Sequence, residues 1–172
     1  GYALQQYSPG SGVSWSTIRG AAGNGGMADD QFASILIYSD SVTDKWASLS
    51  RLIFTFDTGS VLPDDCTIVS AAFYVRGKEK VDNLGISPSI AVCDASPASN
   101  TGLVAGDFDS VGGKLYNTST ISYANFSVTG YNSFSITHAT ALGVISKTGI
   151  TKLAIRNYNY DAQNVVPTWT AS

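Results

Sequence analysis

"SRLIFTFDTGSVLPDDCTIVSAAFYV", residues 50–75, decides the fold class. In its first part Leu52, Phe54 and Phe56 alternate with Arg51, Ile53 and Thr55. A repeat of two is the signature of a strand, whose side chains leave opposite faces in turn. Leu62-Pro63-Asp64-Asp65 then makes a turn, because Pro63 presets φ and the aspartates satisfy local N–H groups. The continuation "CTIVSAAFYVRG" (66–77) puts Ala71, Phe73 and Val75 on one face of a second strand.

The same pattern extends outward along the chain. "SILIY" (34–38), "PSIAVCD" (88–94), residues 121–127, "YNSFSIT" (131–137) and "TKLAIRNYNY" (151–160) are short apolar or alternating runs. Each is bounded by Gly, Pro, Asp, Asn or Ser. Such spacing predicts an all-β sandwich or barrel. One segment departs from it: "THATALGVISKTG" (137–149) carries Ala139, Leu142, Val144 and Ile145 near helical spacing, with Gly149 as a terminator. One short helix is expected there, and one helical turn within 97–108. The glycine-rich loops of the first thirty residues read as flexible connection around "SWSTIRG".

At 172 residues the chain fits one domain with a substantial core. Only 13% of residues are charged, and Ser, Thr, Gly and Asn fill the polar positions. The net charge of −3 and the lack of a basic run argue against a nucleic-acid partner, which needs clustered Lys and Arg. No apolar run reaches the ~20 residues of a spanning helix, so membrane insertion is not expected. The chain opens on Gly1 rather than Met, as a processed or trimmed product would, and "GYALQQYSPG" lacks the features of a signal peptide. The Lys-poor, Ser/Thr/Asn/Tyr-rich composition predicts an extracellular, cell-surface or virion location.

Catalytic signals are sparse. His138 is the single histidine, no G-x-S-x-G elbow occurs, and His138 reads as a surface or cap-region residue. No enzyme is expected. Cys66 and Cys93 lie in no CxxC pair. They are two separate thiols or a disulfide; an antiparallel meander would bring the start of one strand and the end of the next to the same side, and the two are expected to lie close enough to pair.

Sugar binding uses aromatic faces flanked by hydrogen-bonding side chains. The candidate constellation is Tyr158, Tyr160, Asn157, Asn159, Asp161 and Gln163, with Trp169 nearby and Trp15 and Trp46 in other loops. On a strand Tyr158 and Tyr160 would share one face and make a platform for a glycan. The alternative places both rings in the core or in an interface between copies.

The stretch 50–75, together with "YNSFSITHATALGVISKTGITKLAIRNYNYD" (131–161), resembles the DNRLRE-like domains and related carbohydrate-binding modules of secreted bacterial proteins. Sequences of this kind also occur among phage and environmental proteins. The resemblance runs over about residues 13–169 and implies a β-jelly-roll sandwich of two antiparallel sheets with one short helix. It implies that Arg51 and Arg156, near strand ends, pair with acidic side chains or loop carbonyls; solvated edge positions are the alternative. It also implies a structural Ca²⁺. "AGDFDS" offers Asp107 and Asp109 at the i, i+2 spacing of loop oxygen ligands, or simply an acidic turn.

Modules of this kind run on past a Pro-Thr-Trp region into a closing strand, whereas "VVPTWTAS" ends in a loop. Either the chain is trimmed there, or the closing strand is lacking and a sheet edge is left uncovered. The arm 1–12 alternates Tyr2, Leu4 and Gln6 with Ala3, Gln5 and Tyr7, with Gly10 and Gly12 as a hinge to the domain 13–172. It is expected to act as a donor strand, in its own sandwich or in a neighbouring copy. Two functions follow: a binding or attachment module for glycans, or a structural subunit of a capsid decoration layer or filament that assembles with copies of itself as a homo-oligomer.

Overall fold

The structure, a computed structural model, describes residues 2–28, 33–116, 120–136 and 142–171. These residues form ten strands: β1 (Tyr2–Tyr7), β2 (Gly25–Ala28), β3 (Ile37–Ser39), β4 (Trp46–Asp57), β5 (Ala71–Arg76), β6 (Ser89–Ala95), β7 (Val111–Leu115), β8 (Ile121–Ser122), β9 (Tyr131–Ile136) and β10 (Ile150–Asn157). One short helix, α1 (Trp15–Arg19), lies between β1 and β2. A 3-10 turn covers Ala105–Ser110, and a π-helical turn covers Tyr158–Ala162.

All strand pairings are antiparallel, and the fold is all-β. The large sheet runs β2-β1-β4-β10-β6-β7, with β3 also on β4 and β8 also on β6. β5 and β9 form a separate two-stranded sheet. β4 is the spine: β1 pairs along one edge from Leu49 to Phe54, and β10 along the other from Leu52 to Asp57. β3 continues that second edge with a shifted register, pairing Tyr38 with Ser48 and Ser39 with Trp46. Ala47 is thus an extra residue, and the bulge returns Trp46 to the face of Leu49, Arg51 and Ile53.

The alternation along the strands divides the core. Leu52, Val92, Leu153 and Ile155 meet Phe73, Phe134 and Ile136 of the small sheet. Phe54 contacts Phe73 edge-on at 4.9 Å between ring centroids, the geometry that the ring quadrupoles favour. On the other face Ile53, Cys93, Val111 and Ala154 form one cluster, and Trp15, Ile18, Trp46, Leu49 and Phe108 form another. The large sheet is therefore buried on both faces, by a sheet on one side and by loops, α1 and the 3-10 turn on the other.

Residues 2–28 are not a loose connector. β1 is an inner strand between β2 and β4 of its own sheet, so the arm lies within its own chain's fold. Trp15 and Ile18 of α1 are core residues, and Ser14 caps the helix through a bond from the Thr17 amide. Gly23 holds φ +86 where its backbone presses on Ala105 and Phe108, a position with neither room nor conformation for a side chain. The C-terminal tail makes no strand. It docks beside β3, where Ser39 Oγ donates to the Thr170 carbonyl at 2.6 Å and Trp169 Nε1 to the Asp40 carbonyl at 3.2 Å. The expected helix over 137–149 falls partly outside the described residues; residues 143–149 make turns. The helical turn expected within 97–108 begins at Ala105 and runs to Ser110.

Candidate functional site

The expected platform at 157–161 is built differently. β10 ends at Asn157, whose side chain accepts the Tyr160 amide at 3.0 Å and turns the chain out of the sheet. Tyr158 and Tyr160 therefore sit on a π-helical turn, and the strand-face argument does not apply to them. Tyr160 packs against the cluster of Trp15, Ile18, Trp46, Leu49 and Phe108 and donates its hydroxyl to the Ile86 carbonyl at 2.8 Å. Asn159 accepts both the amide (2.6 Å) and the hydroxyl of Ser89. Trp169 is half-buried in the same cluster, and Gln163 is exposed. Trp15 and Trp46 are core residues in edge-to-face contact. The group is a structural junction.

Asp161, expected as a sugar ligand, is fully buried and serves two arginines. Arg51 and Arg156 lie two residues along from the paired Ile53 and Ala154, on the same face of adjacent strands. Arg51 reaches Asp161 with Nε (2.8 Å) and Nη2 (2.7 Å), and Arg156 with Nε (2.8 Å) and Nη2 (2.6 Å). Two bidentate forks thus close on one carboxylate. The remaining donors take loop carbonyls: Arg51 those of Phe108 and Arg19, Arg156 those of Val111, Gly112 and Asp161. The Phe108 ring lies 4.0 Å from the Arg51 guanidinium carbon, as in a cation–π contact. Burial alone would raise the Asp161 pKa. Hydrogen bonds and charge from Arg51, then Arg156, outweigh it and hold the carboxyl below its ordinary value. The arginines are thus neither solvated nor at an edge. They tie β4 and β10 to the layer that covers them.

The other candidate residues are also separated from one another. Asp107 is buried and accepts the amides of Ala98 (3.1 Å) and Val104 (2.9 Å), whereas Asp109 is exposed. The carboxylate that the calcium reading needs thus pins a loop, and no group of three or more His, Cys, Asp or Glu among the described residues could hold a metal. Cys66 and Cys93, expected to lie close enough to pair, are instead both free thiols. Cys93 lies on the buried face of β6, where burial pushes its thiol up to about 12, while Cys66 lies in the loop before β5. Cys66 lines an open cleft of about 380 Å³ with Ile68, Leu142 and Ile145. Lys147 lies there too, but its ammonium is spent on the Cys66 carbonyl at 3.0 Å. His138 lies outside the described residues.

A surface with the needed chemistry is found on the small sheet. In β5 Phe73 faces the core, so Ala72, Tyr74 and Arg76 face outward; in β9 Tyr131, Ser133 and Ser135 do the same. The register sets Tyr74 opposite Ser133 and Arg76 opposite Tyr131. The two tyrosines are therefore diagonal neighbours, with Cα atoms about 7–8 Å apart in such pairs. Tyr74 is 58% and Tyr131 71% exposed. Behind the face, Phe73 and Phe134 anchor the sheet, and Asn132 ties the start of β9 to Ser127 through bonds of 2.8 and 2.9 Å. Aromatic rings, hydroxyls and one guanidinium thus share a firmly backed plane. Its signal was present in the sequence: placing Ala71, Phe73 and Val75 inside assigns Tyr74 and Arg76 to the outside.

Comparison of the chain with protein-family models, curated proteins and solved structures gave no match. Among the described residues no helix is long and apolar enough to cross a membrane.

Proposed function

We propose that this protein is a non-enzymatic binding or attachment module of the β-jelly-roll type, displayed outside the cell or on a virion, that recognises glycans. The exposed face of β5 and β9 carries the proposal. Tyr74 and Tyr131 offer rings to the C–H faces of pyranoses, and Ser133, Ser135 and Arg76 offer hydrogen bonds to hydroxyls. The jelly-roll assignment draws support from β4, β10 and β6, which are sheet neighbours despite long sequence separation. The non-enzymatic reading draws support from the buried ionisable groups, which are committed to structure: Asp161 to arginines, Asp107 to backbone amides.

Retention of the chain on a panel of immobilised polysaccharides tests this reading. Binding to at least one glycan, lost in Tyr74→Ala and Tyr131→Ala, is the expected result; no retention on any glycan would count against it.

A second reading is favoured by a different observation. The two-stranded sheet has no further strand paired to either edge among the described residues. Such edges accept strands from other chains, as a structural subunit of a decoration layer or filament would require. Mass in solution separates the two: a monomer that binds sugar supports the first, a defined assembly without sugar affinity the second.

A further inference from the structure

We propose that Arg19 forms the mouth of an oxyanion site, which takes a carboxylate, sulfate or phosphate group at the surface end of the buried arginine cluster. The site is on the opposite face of the large sheet from β5 and β9 and is independent of glycan binding.

Charge is the first ground. Three guanidinium groups, those of Arg19, Arg51 and Arg156, converge on the single carboxylate of Asp161. Among the described residues two positive charges are left to carbonyl dipoles, in a place where water cannot solvate them well. Among the described residues, Asp161 is the carboxylate whose charge acts on Arg19. Burial lowers the Arg19 pKa, Asp161 opposes this, and Arg156 and Arg51 lower it further.

Donor geometry is the second ground. Arg51 and Arg156 engage Nε and both terminal nitrogens. Arg19 engages Nε alone, on the Asp161 carbonyl at 2.6 Å. Its Nη1 and Nη2 have no hydrogen-bond partner among the described residues. The Arg19 side chain is 26% exposed, against 3% for Arg51 and 4% for Arg156, so it is the cluster's access to solvent.

Preorganisation is the third. Arg19 is held at both ends, by its Nε bond and by its own carbonyl, which accepts Arg51 Nη2 at 2.9 Å. A fixed guanidinium fork with two free terminal nitrogens suits bidentate capture of an oxyanion, and little side-chain entropy is left to lose.

The test is thermal unfolding of the whole chain in rising sulfate, phosphate or acetate, with ionic strength held by chloride, for wild type, Arg19→Gln and Arg19→Lys. Excluded salts stabilise any protein, so the readout is the difference between wild type and variant. An extra rise of about 3–5 °C at ten times the dissociation constant, growing with the logarithm of anion concentration, is expected in wild type and absent in Arg19→Gln. Sulfate or phosphate acting alone identifies a tetrahedral ligand, and acetate acting as well identifies a general carboxylate site. Identical curves for wild type and Arg19→Gln in all three anions would overturn the proposal. Should Arg19→Gln fail to fold, wild-type arginine Nε–H resonances decide: a shift of the Arg19 signal supports the site, and unchanged signals overturn it.

Discussion

Arg51 and Arg156, from strands 105 positions apart in sequence, both donate to the same oxygen of Asp161, Oδ1, at 2.7 and 2.6 Å. Removing the carboxylate would leave two buried guanidinium groups facing each other. Asp161→Asn is expected to destabilise the domain by about 3–5 kcal/mol, the usual cost of breaking a buried ion pair. The exposed Asp109→Asn should change stability by no more than about 0.5 kcal/mol. Urea unfolding of both variants checks the contrast; equal stabilities would show that the cluster holds nothing together.

Asp161 also predicts an acid dependence. Its folded pKa lies below that of the unfolded chain, about 3.9. Its contribution is therefore fully present above about pH 5 and is lost as the pH falls through the unfolded and then the folded value. Wild type should lose stability over that window, and Asp161→Asn should lose measurably less. Parallel pH profiles for the two proteins would contradict this.

The thiols should differ in reactivity. Cys93 is buried with its pKa raised to about 12, so little thiolate exists near neutrality. Native alkylation followed by mass analysis should label Cys66 and spare Cys93, and denaturation should expose both. Rapid native labelling of Cys93 would contradict its placement in β6.

Deletion of residues 1–12 should unfold the monomer. β1 pairs with β4 over six residues and with β2 on its other side. Its loss strips the spine of one neighbour, a cost comparable with the ~5–15 kcal/mol net stability of a domain. A truncated chain with unchanged melting and mass would show that the strand pairs elsewhere.

Much of the fold was legible because β strands advertise themselves by alternation. Leu52 and Phe54 against Arg51 and Ile53 correctly divided the faces of β4. The alternation also misled at Tyr158 and Tyr160: the pattern continues past Asn157, but the Asn157 side chain caps a turn and ends the strand there. Asp161 looked like a surface ligand because Arg51 is remote in sequence, and because a continuing strand would not fold Asp161 back onto Arg156 five residues before it. The arginine pairing implied by the resemblance was found, though nothing local marked Asp161 as the acceptor. Glycine content suggested a loose N-terminus, whereas Trp15 and Ile18 carry enough apolar surface to seat α1 on the sheet. Cys66 and Cys93 could be neither joined nor separated by spacing alone.

The central claim, glycan recognition on the outer face of β5 and β9, is tested most directly by NMR titration of the ¹⁵N-labelled chain with an oligosaccharide from a polysaccharide that retains it. The account predicts that shifts concentrate at Ala72, Tyr74, Arg76, Tyr131, Ser133 and Ser135. It also predicts that Tyr74→Ala weakens binding about ten-fold, without lowering the melting temperature, as loss of one stacking contact should. Shifts centred on Tyr158–Asp161 with β5 and β9 unmoved, or full affinity in a Tyr74→Ala/Tyr131→Ala double variant, would contradict it.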